Sequence, residues 1–287
     1  MRNALSVDIE DWFQVGAFEG VIARADWAGL ESRVERNTDA VCALFDEAGV
    51  KGTFFTLGWV AERFPELIRR IADAGHEVAS HGWDHRRVFL MQPEEFRADL
   101  KRARKAIEQA SGEPVTGYRA PSFSIDARTP WAHAILAEEG HAYSSSVAPI
   151  VHDHYGWPEA PRFAFRPDGA DIVELPVTTA RLAGRTLAAG GGGFFRLLPY
   201  GFSRWAIGQV NADGHPAIFY FHPWEIDPGQ PRLARAPLKS KLRHYSRLGA
   251  MEGKLKRLLR DFEWDRTDRV VAGIAGTAAP PKEAMAA

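Results

Sequence analysis

The 287-residue chain predicts an α/β domain built on a parallel sheet. Two observations predict it. Short apolar runs alternate with amphipathic segments along the chain, and several of those runs end directly before ionisable residues. The runs ALSV (4–7), TFFTL (53–57), EVAS (77–80), DIVELP (171–176) and AIFYF (217–221) read as strands. Helices are expected at 35–48, 65–74, 93–110 and 129–139, because Pro65, Pro93 and Pro130 suit a first turn and Gly49, Gly75 and Gly140 suit a stop. Residues 147–170 read as a long loop, and GGGG at 190–193 as a flexible hinge or tight turn. KLKRLLRDF (254–262) reads as a basic amphipathic helix packed on the domain. The expected organisation is one domain over residues 1–270, including a helical extension from about 235, and a disordered tail over 271–287.

Composition narrows the function. With 45% hydrophobic residues the chain can bury a substantial core. A formal net charge of -1 leaves no broad positive field, so nucleic acid is not an expected partner. The single cysteine, Cys42, cannot form an intrachain disulfide and sits in the apolar run VCALF as a small core residue. The glycine run lacks the following Lys and Ser or Thr of a phosphate-binding loop. The apolar stretch before Asp8 is too short for a signal peptide, which points to a cytoplasmic enzyme. FFRLLPYGF (194–202) suits a groove or a lipid surface, so a position peripheral to an inner membrane stays open.

Three strands end at candidate chemistry: Asp8 after ALSV, His81 after EVAS and His222 after AIFYF. In a parallel barrel such ends gather at one rim, where active sites sit. SHGWDH (80–85) spaces His81 and His85 four positions apart, so that on a helical turn both imidazoles converge on one cation. The residue after His81 is Gly82 and not glutamate, so any catalytic base comes from elsewhere. DIED (8–11) is the natural source, since a two-histidine zinc site recruits a carboxylate and keeps one position open. In an extended segment Asp8 and Glu10 share a face, whereas Asp11 falls on the other unless the chain turns. The alternative use of such a cluster is to cap a helix N-terminus.

The order DIED, TFFTLGWVAERFPELIRRIADAGHEVASHGWDH, GYRAPSFS and FYFHPWE resembles the polysaccharide deacetylases, the NodB-like carbohydrate esterases, over about residues 4–265. More narrowly it resembles the branch associated with bacterial exopolysaccharide systems of the exosortase type. The resemblance implies a distorted (β/α) barrel of the NodB type and a divalent metal, commonly Zn2+, with Co2+ as another candidate. It implies Asp8 as base, His81 and His85 as metal ligands, Arg119 as the partner of Asp8, and His222 as the acid. Relatives read Asp-Asp where this chain reads Asp-Ile-Glu-Asp, so Glu10 or Asp11 is the third ligand, with strand alternation favouring Glu10. Relatives also tend to carry an aspartate at the position of Ser144, and Glu225 or Asp227 could substitute for it beside His222.

These residue types suit amide hydrolysis. A cation with an open position activates water, a carboxylate accepts a proton, and a histidine that titrates near neutrality protonates the departing nitrogen. Trp83, Pro121, Phe123 and Trp224 flank the motifs and could offer apolar faces to sugar rings. Tyr155, Phe194 and Phe195 could form a lid or one wall of the groove together with the glycine hinge. The expected reaction is N-deacetylation of an N-acetylated glycan, in an exopolysaccharide or its precursor, in association with a membrane polysaccharide-synthesis complex. The rival readings are a metal amidohydrolase acting on peptidoglycan or a small amide, and a non-catalytic carbohydrate-binding relative.

Overall fold

The computed structural model describes residues 1–152 and 155–274. In chain order the first half comprises β1 (Arg2–Ile9), α1 (Val34–Ala48), β2 (Thr53–Thr56), α2 (Gly58–Arg63), α3 (Pro65–Asp73), β3 (Glu77–Ser80), α4 (Pro93–Ser111), β4 (Gly117–Tyr118), α5 (Ala132–Glu138) and β5 (Tyr143–Ser144). The second half comprises β6 (Val173–Glu174), β7 (Thr179–Leu182), β8 (Arg185–Ala188), α6 (Gly192–Leu197), α7 (Tyr200–Ala212), β9 (Ile218–Phe221), α8 (Leu238–Tyr245), α9 (Met251–Asp261), β10 (Glu263–Asp265) and α10 (Thr267–Ile274). Pro65 and Pro93 open α3 and α4, and Gly49 closes α1 in the left-handed region. Helix α5 begins two residues beyond Pro130.

Strand β1 is the axis of the sheet. Seven of its eight residues are buried, as expected for a strand covered on both faces. It pairs in parallel with β9 on one side and with β2 and β10 on the other, and β2 leads on through β3, β4, β5 and β6. The sheet curls into the distorted barrel. Its seam between β6 and β9 is closed by scattered bonds instead of a ladder: the Ile218 N–H donates to Thr178 Oγ1 at 2.6 Å and the Tyr220 N–H to the Gly190 carbonyl at 2.8 Å. Strands β7 and β8 form a hairpin outside the sheet, turned at Ala183 and Gly184, both with positive φ.

Two expectations need correction. The glycine run is not a hinge: it packs against β9 and the segment after it. A Cβ on Gly191 would press on the Tyr220 ring, and one on Gly192 would overlap the Glu225 carboxylate, so the glycines allow close approach. Residues 271–274 are not tail. They complete α10, whose Val270 and Val271 pack on Ala4, Phe55 and Ile218 and close one end of the barrel. The remainder of the expected tail, 275–287, lies outside the described residues.

Candidate active site

The ends of β1 and β3 bring Glu10, His81 and His85 together. One ligand atom from each lies within 4.8 Å of the others, and among the described residues this is the group of three suited to a metal ion. The histidines do not converge on a helix. His81 directly follows β3, and Gly82 and His85 both adopt left-handed backbone angles, so a tight loop folds His85 back over His81 with ring centroids 5.5 Å apart. His81 Nδ1 lies 2.8 Å from the Arg119 carbonyl. A carbonyl only accepts, so Nδ1 carries the proton and Nε2 presents its lone pair.

Glu10 Oε2 is buried, receives no hydrogen bond, and sits 3.1 Å from His85 Nε2. Burial holds His81 down to about 4 and His85 well below its ordinary value, which keeps both imidazoles neutral, and it pushes Glu10 up to about 7. A carboxylate oxygen without a donor, facing two neutral imidazoles, is the donor set that a divalent cation completes.

Beside this trio lies the ion pair of Asp8 and Arg119. Arg119 Nη1 donates to Asp8 Oδ1 and to Ser6 Oγ, both at 2.7 Å, while Nε and Nη2 donate to Ser145 O and Oγ. The guanidinium is fully buried and its donors point in fixed directions, so Asp8 is held in one orientation.

His222 directly follows β9 and is the most exposed of the group, with 19% of its side chain accessible. Its Nε2 lies 3.2 Å from Glu10 Oε1, and its Nδ1 lies 2.8 Å from Glu225 Oε1. Burial alone would lower its pKa; the Glu10 carboxylate and the bonded Glu225 overcome this and raise it to about 9. Glu225 would itself be raised by burial, but Arg196 and His222 draw it down to about 2. Arg196 Nε donates to Glu225 Oε2 at 2.6 Å, and its remaining donors reach the carbonyls of Arg243, His244 and Ser246. Glu225 therefore stands where a partner for His222 was sought. Asp227 instead pairs with Arg33 and Arg36.

Several expected site residues are placed elsewhere. The chain turns after Ile9, and Asp11 Oδ2 accepts from Ser32 Oγ (2.6 Å) and from the N–H groups of Arg33 (2.9 Å) and Val34 (3.2 Å), anchoring the start of α1. Its donors leave it no part in the trio. Trp83 packs over Gly58 and under the Arg102 guanidinium, 3.5 Å from the ring centroid, because residues between His81 and His85 point away from them. Trp224 is covered by His222 and His244 in near-parallel stacks and turns its indole N–H toward Glu10 at 3.4 Å. Pro121 is buried against Gly82, and Phe123 is buried against Tyr220. None of these four offers an open face to a sugar ring. Phe195 is buried on Phe219 and is not part of a lid. Sequence reasoning missed Arg196, whose only signal was a lone charge inside the apolar run FFRLL, and the serines that fix Arg119.

A family model described as polysaccharide deacetylase matches residues 28–140, and a domain of unknown function (DUF3473) matches residues 145–272. A peptidoglycan deacetylase from Helicobacter pylori is 31% identical over 104 residues, which is 36% of this chain and 34% of the relative. A chitooligosaccharide deacetylase from Bradyrhizobium is 29% identical over 143 residues, half of this chain and 59% of the relative. The matches therefore span less than two thirds of these relatives. A crystal structure of a candidate polysaccharide deacetylase from Mycobacterium smegmatis shares the fold at 21% identity with a TM-score of 0.62, covering 96% of this chain and 91% of that one. The chain is thus similar to polysaccharide deacetylases over residues 28–140, and that stretch sits in a distorted parallel barrel with a His-His-Glu cluster at its rim.

Proposed function

We propose that the chain is a metal-dependent N-deacetylase that hydrolyses the acetamide of N-acetylated amino sugars in a bacterial exopolysaccharide or its precursor. One observation carries this reading: the Glu10–His81–His85 set, the Asp8–Arg119 pair and His222 meet at one rim of the barrel. Glu10, His81 and His85 would hold Zn2+ or Co2+, which when bound supplies a Lewis acid for the acetyl carbonyl and acidifies water. Asp8 accepts the proton of the attacking water, and Arg119 keeps that carboxylate aimed at it. His222 donates a proton to the departing sugar nitrogen, and Glu225 keeps the ring turned so that Nε2 faces the site.

Peptidoglycan is the second substrate class, favoured by the similarity to a peptidoglycan deacetylase. The test is acetate release from N-acetylhexosamine oligomers and from peptidoglycan fragments. Release should stop with a chelator and return with zinc or cobalt, and full activity in a metal-free preparation would overturn the reading.

A further inference from the structure

The near-zero net charge hides a segregation. Residues 175–212 and 228–251 contain ten arginines and lysines and no aspartate or glutamate, leaving 26 basic and 37 acidic residues to the rest of the chain. Eight of the ten are exposed. The same two segments hold six of the ten large hydrophobic side chains exposed on the surface: Leu182, Phe194, Leu197, Trp205, Leu238 and Leu242, each between 39% and 72% accessible.

The segments are joined in space. Arg196 of α6 reaches the last carbonyls of α8 and its flank. The hairpin is clasped to α7 by Gln209, which bonds both the N–H and the carbonyl of Arg181, next to Leu182 and one helical turn from Trp205. Lys254 holds the end of α6 through the carbonyls of Phe195, Arg196 and Leu198. On α8, Leu238 and Leu242 are one turn apart on the same face. Arg204 has an acidic neighbour, Asp261, at 3.9 Å, from outside the two segments.

Exposed apolar side chains interleaved with basic ones, on two segments that contain no acidic residue of their own, fit an anionic bilayer surface: the apolar groups enter the acyl boundary and the cations meet phosphate headgroups. No described helix is long and apolar enough to cross a membrane, so the contact lies in the interface. We propose that the hairpin tip, α6, α7 and α8 form a face that docks reversibly on an anionic lipid bilayer. Because Arg196 also holds Glu225, this face adjoins the His222 side of the rim.

The test is co-flotation of the full chain with vesicles of phosphatidylcholine alone or containing phosphatidylglycerol. Binding is expected to the anionic vesicles only and to weaken with added salt. Leu238→Ser/Leu242→Ser and Trp205→Ser should each lower the partition coefficient by fivefold or more. Arg185→Glu/Arg235→Glu should do the same, at about fivefold per basic group removed, with circular dichroism confirming the fold. Absence of anionic-vesicle binding, or equal binding by all variants, would overturn the proposal. Concentration-dependent self-association without lipid, abolished by the same leucine changes, would assign the face to a second copy and also overturn it. None of these readouts depends on catalytic activity.

Discussion

Glu225→Gln separates the two tasks assigned to this carboxylate. The substitution keeps the side chain's length and an oxygen able to accept from His222 Nδ1, but removes the charge that balances Arg196 at 2.6 Å. Arg196 is left as a buried cation bonded only to three backbone carbonyls. Loss of one partner of a buried pair costs about 3–5 kcal/mol. At about 2.1 cal/mol/K per residue, that lowers Tm by roughly 5–8 °C for a chain of this length. The kinetic effect is separate. Glu225 is fully buried behind His222 and reaches no substrate, so KM should change little, whereas loss of a well-oriented acid should lower kcat by about 10²-fold. Calorimetry and acetate release on the same preparation read both. Glu225→Asp should recover part of kcat, and Arg196→Met/Glu225→Gln should recover part of Tm without recovering kcat. A Glu225→Gln enzyme with unchanged kcat would refute the assignment of His222 and its partner.

Other expectations follow from the same geometry. Asp11→Ala removes the acceptor of three donors at the start of α1 and should cost about 1–2 kcal/mol of stability while metal content stays intact. Asp8→Asn should retain metal and lose turnover by about 10²–10⁴-fold. Acid should destabilise the fold through His76, which burial holds down to about 4 and whose Nδ1 accepts the Gly52 N–H. The unfolded chain takes up this proton near pH 6.5 and the folded one does not. Stability is therefore full above about 6.5 and declines toward 4, by about 3 kcal/mol at 1.36 kcal/mol per unit. A Tm profile from pH 7.5 to 4.5 should fall more steeply in the parent than in His76→Gln, and parallel profiles would contradict this.

The parts of the fold legible in the sequence were those with a physical period. Strand β1 and the helices that start at Pro65 and Pro93 announced themselves through a continuous apolar run and through first-turn prolines. Strands β4 and β5 are two residues each, too short to carry alternation, and the β7–β8 hairpin turns at Ala183 and Gly184, where a lone glycine was the only turn signal. At the site, residue types and strand ends could be read, but burial could not. That is why four candidate sugar platforms are packed into the barrel wall, and why Arg196, 26 residues before His222, had no visible link to it. Glu10 and Asp11 could not be separated by alternation alone, because the turn after Ile9 depends on where α1 waits for an anion.

The central claim is that one divalent cation is shared by Glu10, His81 and His85. Crystals grown with zinc and measured at its absorption edge test it most directly. The expected result is a single strong anomalous peak within about 2.0–2.2 Å of one oxygen of Glu10 and one nitrogen each of His81 and His85. A peak bound by Asp11, or no peak among these three side chains at saturating zinc, would contradict it.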